Sequence, residues 1–323
     1  FEVFQDKQGI YVEPYQFYLS AGKHRLTITA IKGNFAIDHL LFYNQQIPTY
    51  AEVVEEYKAQ GYQPADSVFL KIQAEKAELK SEPLLHGLYD RSSPATEPSH
   101  HANLRLNTIG GSNWNTAGQW ITWKVDIPED GLYQLGMRFR QNYLRGFFVT
   151  RKLYIDGRIP FQELADLTFD YSPYWQMKVI GDQTPHLVYL TKGVHEIKME
   201  VGLGKLADTL RVMQDVVYEM NLMYRKIIMI TGINPDIYRD YNLEKEIPAL
   251  VPTFVRLSQT LTREAEKLEG LSGRAGGEVS FLKEVAFQLQ SLSERPETIK
   301  ERLDNYRSNV SSLSAWVLQM KAQ

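Results

Sequence analysis

Tyr189-Leu190-Thr191-Lys192-Gly193-Val194-His195 runs directly into Glu196-Ile197-Lys198-Met199-Glu200-Val201. The same phrase stands earlier as Tyr18-Leu19-Ser20-Ala21-Gly22-Lys23-His24, ahead of Arg25-Leu26-Thr27-Ile28-Thr29-Ala30. After each histidine the apolar side chains fall on alternate positions: Leu26, Ile28 and Ala30 in one copy, Ile197, Met199 and Val201 in the other. A period of two places one face in a core and the other in water, the pattern of an antiparallel sandwich. The copies begin at Tyr18 and Tyr189, a spacing far too long for a solenoid and suited to two successive domains.

A chain of 323 residues exceeds what one small core serves, so two or three domains are expected. With 43% hydrophobic and 23% charged residues it reads as a folded globular protein. A net charge of −3 gives no basic footprint for nucleic acid or an acidic membrane. There is no cysteine, which removes thiol catalysis, thiolate metal sites and disulfides together. No apolar run reaches membrane-spanning length and no signal peptide is recognisable. The chain opens on Phe1 rather than an initiator Met, so a longer parent with further domains is expected.

Working outward, strands are predicted around residues 1–4, 16–19, 24–30 and 36–43. A short helix follows over Tyr50 to Gln60, with Thr49 as N-cap and Gly61 as its stop. Val68 to Glu75, Gln119 to Ile127, Leu132 to Phe139 and Thr150 to Ile155 read as further strands. Pro128-Glu129-Asp130-Gly131 joins the second and third of these as a hairpin. Residues 81–101 and 158–185 read as loops. From Leu206 the period changes. Leu206, Leu210, Met213, Val217, Met220, Tyr224 and Ile227 follow helical spacing, as do Ile299, Leu303, Tyr306, Val310, Leu313, Val317 and Met320. Two more helices lie near 249–269 and 277–294, and the short breaks between them predict an antiparallel helical bundle.

The fold class expected is therefore a jelly-roll β-sandwich plus an α-helical bundle. The expected organisation is the C-terminal half of a sandwich module over 1–46, a helix and linker over 47–65, a fuller sandwich over 66–204 and the bundle over 205–323.

Several fragments, taken in order, resemble a known family. Gln73-Ala74-Glu75, Gly118-Gln119-Trp120, Pro128-Glu129-Asp130-Gly131-Leu132-Tyr133, Leu153-Tyr154-Ile155-Asp156-Gly157 and the Tyr189 to His195 phrase resemble galactose-binding-like β-sandwiches, more narrowly the carbohydrate-binding modules of families 6 and 35. Those families carry Glu-Ala-Glu on the first strand, where both carboxylates help hold a structural calcium; here the first acid is replaced by Gln73. Their Ile-Asp-Tyr-like closing strand does not follow Gly204 but has a counterpart in Ala36-Ile37-Asp38-His39-Leu40. This places the bundle before a closing strand that would lie beyond Gln323 or be absent. The combination with the bundle and the segment Tyr224 to Tyr241 also resembles the accessory region of large Gram-positive extracellular sugar-transport binding proteins. The resemblance implies non-catalytic binding of an oligo- or polysaccharide at the cell surface or outside the cell, beside an attached transport or enzyme domain. The only cofactor it adds is a structural Ca²⁺ through Gln73 and Glu75.

A sugar ring offers an apolar C–H face and a rim of hydroxyls, so its sites pair aromatic platforms with amides. Two loops have that chemistry: Ser112-Asn113-Trp114-Asn115-Thr116 and Asp170-Tyr171-Ser172-Pro173-Tyr174-Trp175, with Gln141-Asn142-Tyr143 adding donors. The candidate ligand residues are Asn113, Trp114, Asn115, Asn142, Tyr143, Tyr171, Tyr174 and Trp175. The alternative is that Trp114 and Trp175 plug the ends of the sandwich. Trp123 alternates with Ile121 and Val125 and reads as core, whereas Trp120 points to the opposite face. Gln73 and Glu75 supply two oxygens where a hard cation wants six or more. His100-His101 reads as a solvated pair.

Two other function classes stand beside glycan binding. One is a structural or protein-interaction scaffold. The other is a glycosidase, for which Asp156, Glu163, Asp166 and Asp170 would have to supply paired acids. No hydrolase, metalloprotease, phosphate-loop or dinucleotide motif is present. Thr231 to Tyr241 reads as an inter-helix loop pinned to the β domain by ion pairs and aromatic packing, or as a binding surface.

Overall fold

The computed structural model describes residues 4, 15, 17–29, 33, 36–42, 46–181, 184–272 and 276–322. The first element among the described residues is α1 (Tyr50–Gln60). Thr49 caps α1 through a reciprocal capping box with Glu52, and Gly61 closes it in the left-handed region. Eleven strands follow among the described residues: β1 (Leu79–Lys80), β2 (Gly87–Leu88), β3 (Thr108–Ile109), β4 (Trp120–Ile127), β5 (Gly131–Gln134), β6 (Gly136–Phe139), β7 (Phe148–Ile155), β8 (Leu167–Asp170), β9 (Gln176–Val179), β10 (Leu187–Leu190) and β11 (Gly193–Gly202).

One sheet has the order β1-β4-β11-β7-β8, all antiparallel, with β11 central. The phrase that decides the fold therefore feeds the middle strand. Ile121, Val125, Leu153, Ile155, Leu167 and Phe169 face inward at period two and are buried. The opposing layer is built from two interrupted strands: β5 and β6 break at Leu135, and β9 and β10 break between Ile180 and His186. Pro64 adds a parallel bridge to Leu132 on the other edge. Ile180, Val188 and Leu190 from this layer join the same buried cluster as Val125, Leu153, Ile155, Leu167 and Phe169 of the first sheet, while Ile121 packs in a smaller cluster with Leu85 and Trp123.

The Pro128 to Gly131 turn is not a hairpin: β4 pairs with β1 and β11, while β5 pairs with β10 in the opposing layer. The edges of β4 are taken by strands from elsewhere in the chain, so the turn carries the backbone from one layer to the other. Val68 to Glu75 is likewise not a strand; residues 68–73 carry no ladder, and Ala74–Lys76 is a 3₁₀ turn. The expected loop over 158–185 contains β8 and β9, each too short for alternation to stand out. In the N-terminal region the described residues, 17–29 and 36–42 among them, are exposed and form no strand. Among the described residues that alternation has no neighbouring strand to pair with, and an isolated strand is unstable in water. The expected strand at 1–4 lies outside the described residues, apart from Phe4.

β11 passes through the 3₁₀ turn Gly204–Leu206 into α2 (Ala207–Thr231). The one-turn α3 (Leu243–Glu246) leads to α4 (Leu250–Ser272), α5 (Gly277–Glu294) and α6 (Ile299–Lys321). α4 packs on α5 and α2 on α6, with α2 also against α4 and α5 against α6, which closes a four-helix ring. Leu210, Met213, Phe254, Leu261, Leu282, Leu289, Tyr306 and Leu313 fill its centre. Tyr306 donates its hydroxyl to the Met220 carbonyl at 2.9 Å, satisfying a buried polar group. The loop after α2 is pinned to the bundle rather than to the β domain: Lys300 donates to the Arg239 carbonyl at 3.0 Å, and Arg239 lies over the Tyr241 ring. No helix among the described residues is long and apolar enough to cross a membrane.

Candidate functional site

The start of β4, the end of β11, the start of β7 and the end of β8 meet at one end of the sandwich, as their register requires. The loops leaving that end carry the expected ligand residues. Two of them are laced together: Tyr171 donates its N–H to the Phe147 carbonyl at 3.0 Å, and Ser172 to the Gln141 carbonyl at 2.7 Å. Gln141 is buried and fixes the first loop with its side chain. Its Oε1 accepts from the N–H groups of Tyr143 (3.0 Å) and Leu144 (3.1 Å), while Nε2 donates to the carbonyls of Leu144 (3.2 Å) and Phe147 (3.3 Å). A buried amide with every polar atom used holds its surroundings in one geometry.

On this frame Tyr143 is 63% exposed and Tyr174 78% exposed, with Asn142 exposed beside them. Ser172 Oγ accepts from the Tyr174 N–H at 3.1 Å and donates to the Tyr174 carbonyl at 2.9 Å, so the exposed ring springs from a fixed turn. Tyr171 is half-buried at the base of the loop.

Trp175 is half-buried and held from behind. Its Nε1 donates to Asp90 Oδ1 at 3.2 Å and Ser92 Oγ at 3.1 Å. The guanidinium carbons of Arg140 and Arg138 lie 5.2 and 5.6 Å from its ring centroid. Arg140 also pairs with Asp90 at 2.7 Å. Burial opposes ionisation of Asp90, but the hydrogen bonds from Ser92 and Trp175 and the charge of Arg140 together hold its carboxyl below the usual range. These backing residues were not legible in the sequence. Asp90-Arg91-Ser92 sits inside a polar loop, and only the fold brings it to β6.

The Trp114 loop is built differently. Arg151 lies over the Trp114 ring at 4.6 Å and donates to the Trp114 carbonyl at 2.8 Å. The indole packs against the small cluster of Leu85, Ile121 and Trp123 and donates to the Gln119 carbonyl at 3.3 Å. Buried Gln119 accepts the N–H groups of Asn115 and Thr116, both at 3.0 Å, and Asn113 donates to the Leu84 carbonyl at 3.2 Å. Trp114 is thus a packed ring with one face covered, and its flanking amides are engaged in holding the loop. Arg151 occupies an inward position on β7, and burial pulls its pKa down to about 9.

Two of the four acids considered for hydrolysis, Asp156 and Glu163, are engaged by neighbouring groups. Asp156 accepts the Glu196 N–H at 2.9 Å and faces His195 Nδ1 at 2.6 Å. Both oxygens of Glu163 accept the Tyr50 N–H, at 2.9 and 3.1 Å, at the start of α1. Asp166 is pushed up by burial beside Gly204 and Lys205, and Asp170 is exposed at the end of β8. Asp156 and Asp170 lie at opposite ends of the sandwich.

Glu75 has one buried carboxylate oxygen, Oε2, with no hydrogen-bond partner. No group of three or more acidic or histidine side chains suited to a metal occurs among the described residues, and Gln73 with Glu75 falls short of a hard cation's coordination. The donor set does not fit the calcium that the resemblance implies. His100 and His101 stack on each other at 4.5 Å, and His100 Nδ1 accepts loop N–H groups from Ala102 and Asn103.

Comparison with known proteins gives one family match: residues 208–320 match the family described as bacterial solute-binding protein, 4-helix bundle domain. No curated protein matches the chain. Among solved structures, a Paenibacillus cycloisomaltooligosaccharide glucanotransferase complexed with cycloisomaltoheptaose is similar at 22% identity and TM-score 0.31, over 48% of this chain and 21% of its own. A family 35 carbohydrate-binding module from Clostridium thermocellum is similar at 17% identity and TM-score 0.25, over 32% of this chain and 70% of its own. A third, the CBM35 of Abf62 from Cellvibrio japonicus, has 16% identity and TM-score 0.27, over 36% and 72% respectively.

Proposed function

We propose that the chain is a non-catalytic carbohydrate-recognition region in which Tyr143 and Tyr174, assisted by Asn142, Tyr171 and the exposed part of Trp175, bind an oligo- or polysaccharide. The observation that carries this reading is the pair of exposed tyrosines on two loops cross-linked through Gln141 and Ser172. Tyrosine rings offer an apolar face to sugar C–H groups and a hydroxyl to the rim, and a prefixed loop avoids the ordering cost that a mobile one incurs on binding. The Asn113-Trp114-Asn115 loop leaves the same end of the sandwich and is held by Arg151, Gln119 and the Leu85 cluster.

The bundle starts from the same end of the sandwich. A Cβ added at Gly276, just before α5, would lie 4.0 Å from the Gly146 carbonyl of the tyrosine loop. A glycan held there stands beside the helical unit, which supports a role in presenting sugar to an attached transport or enzyme domain. The match of that unit to a solute-binding-protein bundle supports an extracytoplasmic, sugar-transport setting. A purely protein-binding scaffold is the second reading, favoured by the exposed apolar side chains Met229, Ile233, Ile237 and Tyr238 on α2 and the loop after it.

Affinity electrophoresis through gels containing soluble glucans, galactans or xylans tests the proposal. Retardation by at least one polysaccharide, lost in Tyr174→Ala, is expected. Equal mobility in every gel favours the scaffold.

A further inference from the structure

β1 covers only the first half of the outer edge of β4. The Trp120 carbonyl accepts the Ser81 N–H at 2.9 Å and the Thr122 carbonyl accepts the Glu78 N–H at 2.8 Å, so the even-numbered residues of β4 turn their backbone groups away from β11. Strand alternation aims the N–H and C=O of Lys124 and Asp126 the same way. The 3₁₀ turn Ala74–Lys76 takes the chain off the sheet before it reaches them. Among the described residues nothing pairs with those outward groups.

The open half-edge faces a groove of about 350 Å³, whose far wall is the ladder-free stretch from Leu70 to Gln73. Leu70 and Ile72 are 42% and 45% exposed there. No aromatic ring lines the groove, so it lacks the platform a sugar needs. It offers instead main-chain donors and acceptors at strand spacing. The charged side chains lining it are Lys71, Lys76 and Lys124 against Asp126 alone. Lys71 and Lys124 pair with Glu97 and Glu78, neither of which lines the groove, and Lys76 makes no ion pair among the described residues.

We infer that this half-edge is a docking site for an extended acidic segment of a partner protein, which adds to the sheet as a strand beside β4. Its main chain pairs with Lys124 and Asp126, its apolar side chains on alternate positions meet Leu70 and Ile72, and its carboxylates face Lys76 and Lys124. Lysine on an open edge deters pairing with most strands, whereas a strand carrying carboxylates opposite it gains a favourable cross-strand pair. The site lies at the end of β4 remote from the tyrosine loops, so it is independent of glycan binding there.

Amide hydrogen exchange of the intact chain, resolved by NMR, tests the inference with acetyl-Glu-Val-Glu-Val-Glu-Val-amide as the probe. At about 1 mM this peptide slows exchange at Lys124 and Asp126 by about 10-fold or more, and the corresponding Lys-Val peptide leaves it unchanged. Asp126→Pro removes an outward N–H without touching the β11 ladder, and it abolishes the effect. Lys76→Glu, an exposed change with no ion pair to lose, weakens it at least several-fold. The Tyr143→Ala/Tyr174→Ala chain retains the full effect, which separates this test from that of sugar binding. Unchanged exchange with the acidic peptide overturns the inference. So does equal protection by both peptides, or protection that survives in both Asp126→Pro and Lys76→Glu.

Discussion

His195 stands between two acceptors, the Asp156 carboxylate at 2.6 Å and the Thr191 carbonyl at 2.8 Å. Burial works against its charge, yet the hydrogen bonds to Asp156 and Thr191 and the charge of Asp156 raise its pKa above the usual 6.5. A raised value means that the stabilisation is complete below the unfolded pKa and fades as pH rises through the folded one. His195→Gln is therefore expected to destabilise the chain more at pH 5.5 than at pH 9, the difference being about 1 kcal/mol or less after solvent screening; urea melts at the two pH values read it. Tyr174 carries no such duty. Tyr174→Ala is expected to change stability by no more than about 0.5 kcal/mol while removing sugar binding, read by thermal melting beside affinity electrophoresis. At this scale the sequence singled out aromatic loops on chemical grounds, but it could not rank them. Trp114 and Trp175 both sit among polar neighbours in the chain, and only the fold puts Arg151 and the Leu85 cluster on one and Asp90 with two arginines on the other.

α1 covers a sheet edge by an unusual route. The Leu187 N–H donates to the Tyr50 hydroxyl at 2.8 Å and the Tyr189 N–H to the Tyr57 hydroxyl at 3.3 Å, so two tyrosines accept the outward amides of β10. Tyr50 also stacks on His186 at 3.9 Å, and Val53 is buried in the main core. Open edges invite pairing with other chains, and covering them is a standard protection. Tyr50→Phe keeps the packing and removes the acceptor, so a loss of about 1 kcal/mol in urea denaturation is expected. The helix itself was legible to the residue, because Thr49, Glu52 and Gly61 are local signals that act through the backbone of the helix they bound. Strand partners are not local. The alternation on either side of Pro128 gives two strands but cannot say that they belong to different layers, and four-residue β8 and β9 are too brief for a period to register.

Across the molecule, one buried cluster runs from Val125, Leu153 and Phe169 in the sandwich through Leu203, Leu206 and Leu210 into the bundle. The junction is tight. Gly204 adopts φ 48°, and a Cβ there would fall 1.8 Å from Asp166 Oδ1. Gly204→Ala is expected to cost about 2 kcal/mol or more through backbone strain and displacement of that carboxylate, and calorimetry should show a lowered Tm. The seam of the bundle could be read from its heptad-like spacing, whereas its continuity with the sandwich could not, since Leu203 and Leu206 look like the end of one element and the start of another. That arrangement sets the bundle beside the tyrosine loops, and it gives the sugar-binding reading its architectural sense. A glycan-array screen of the intact chain alongside Tyr143→Ala/Tyr174→Ala tests that reading most directly. Binding to a defined set of glycans that disappears in the double variant, with its melting temperature preserved, is the predicted result; no glycan retained by the intact chain, or equal retention by both proteins, would contradict it.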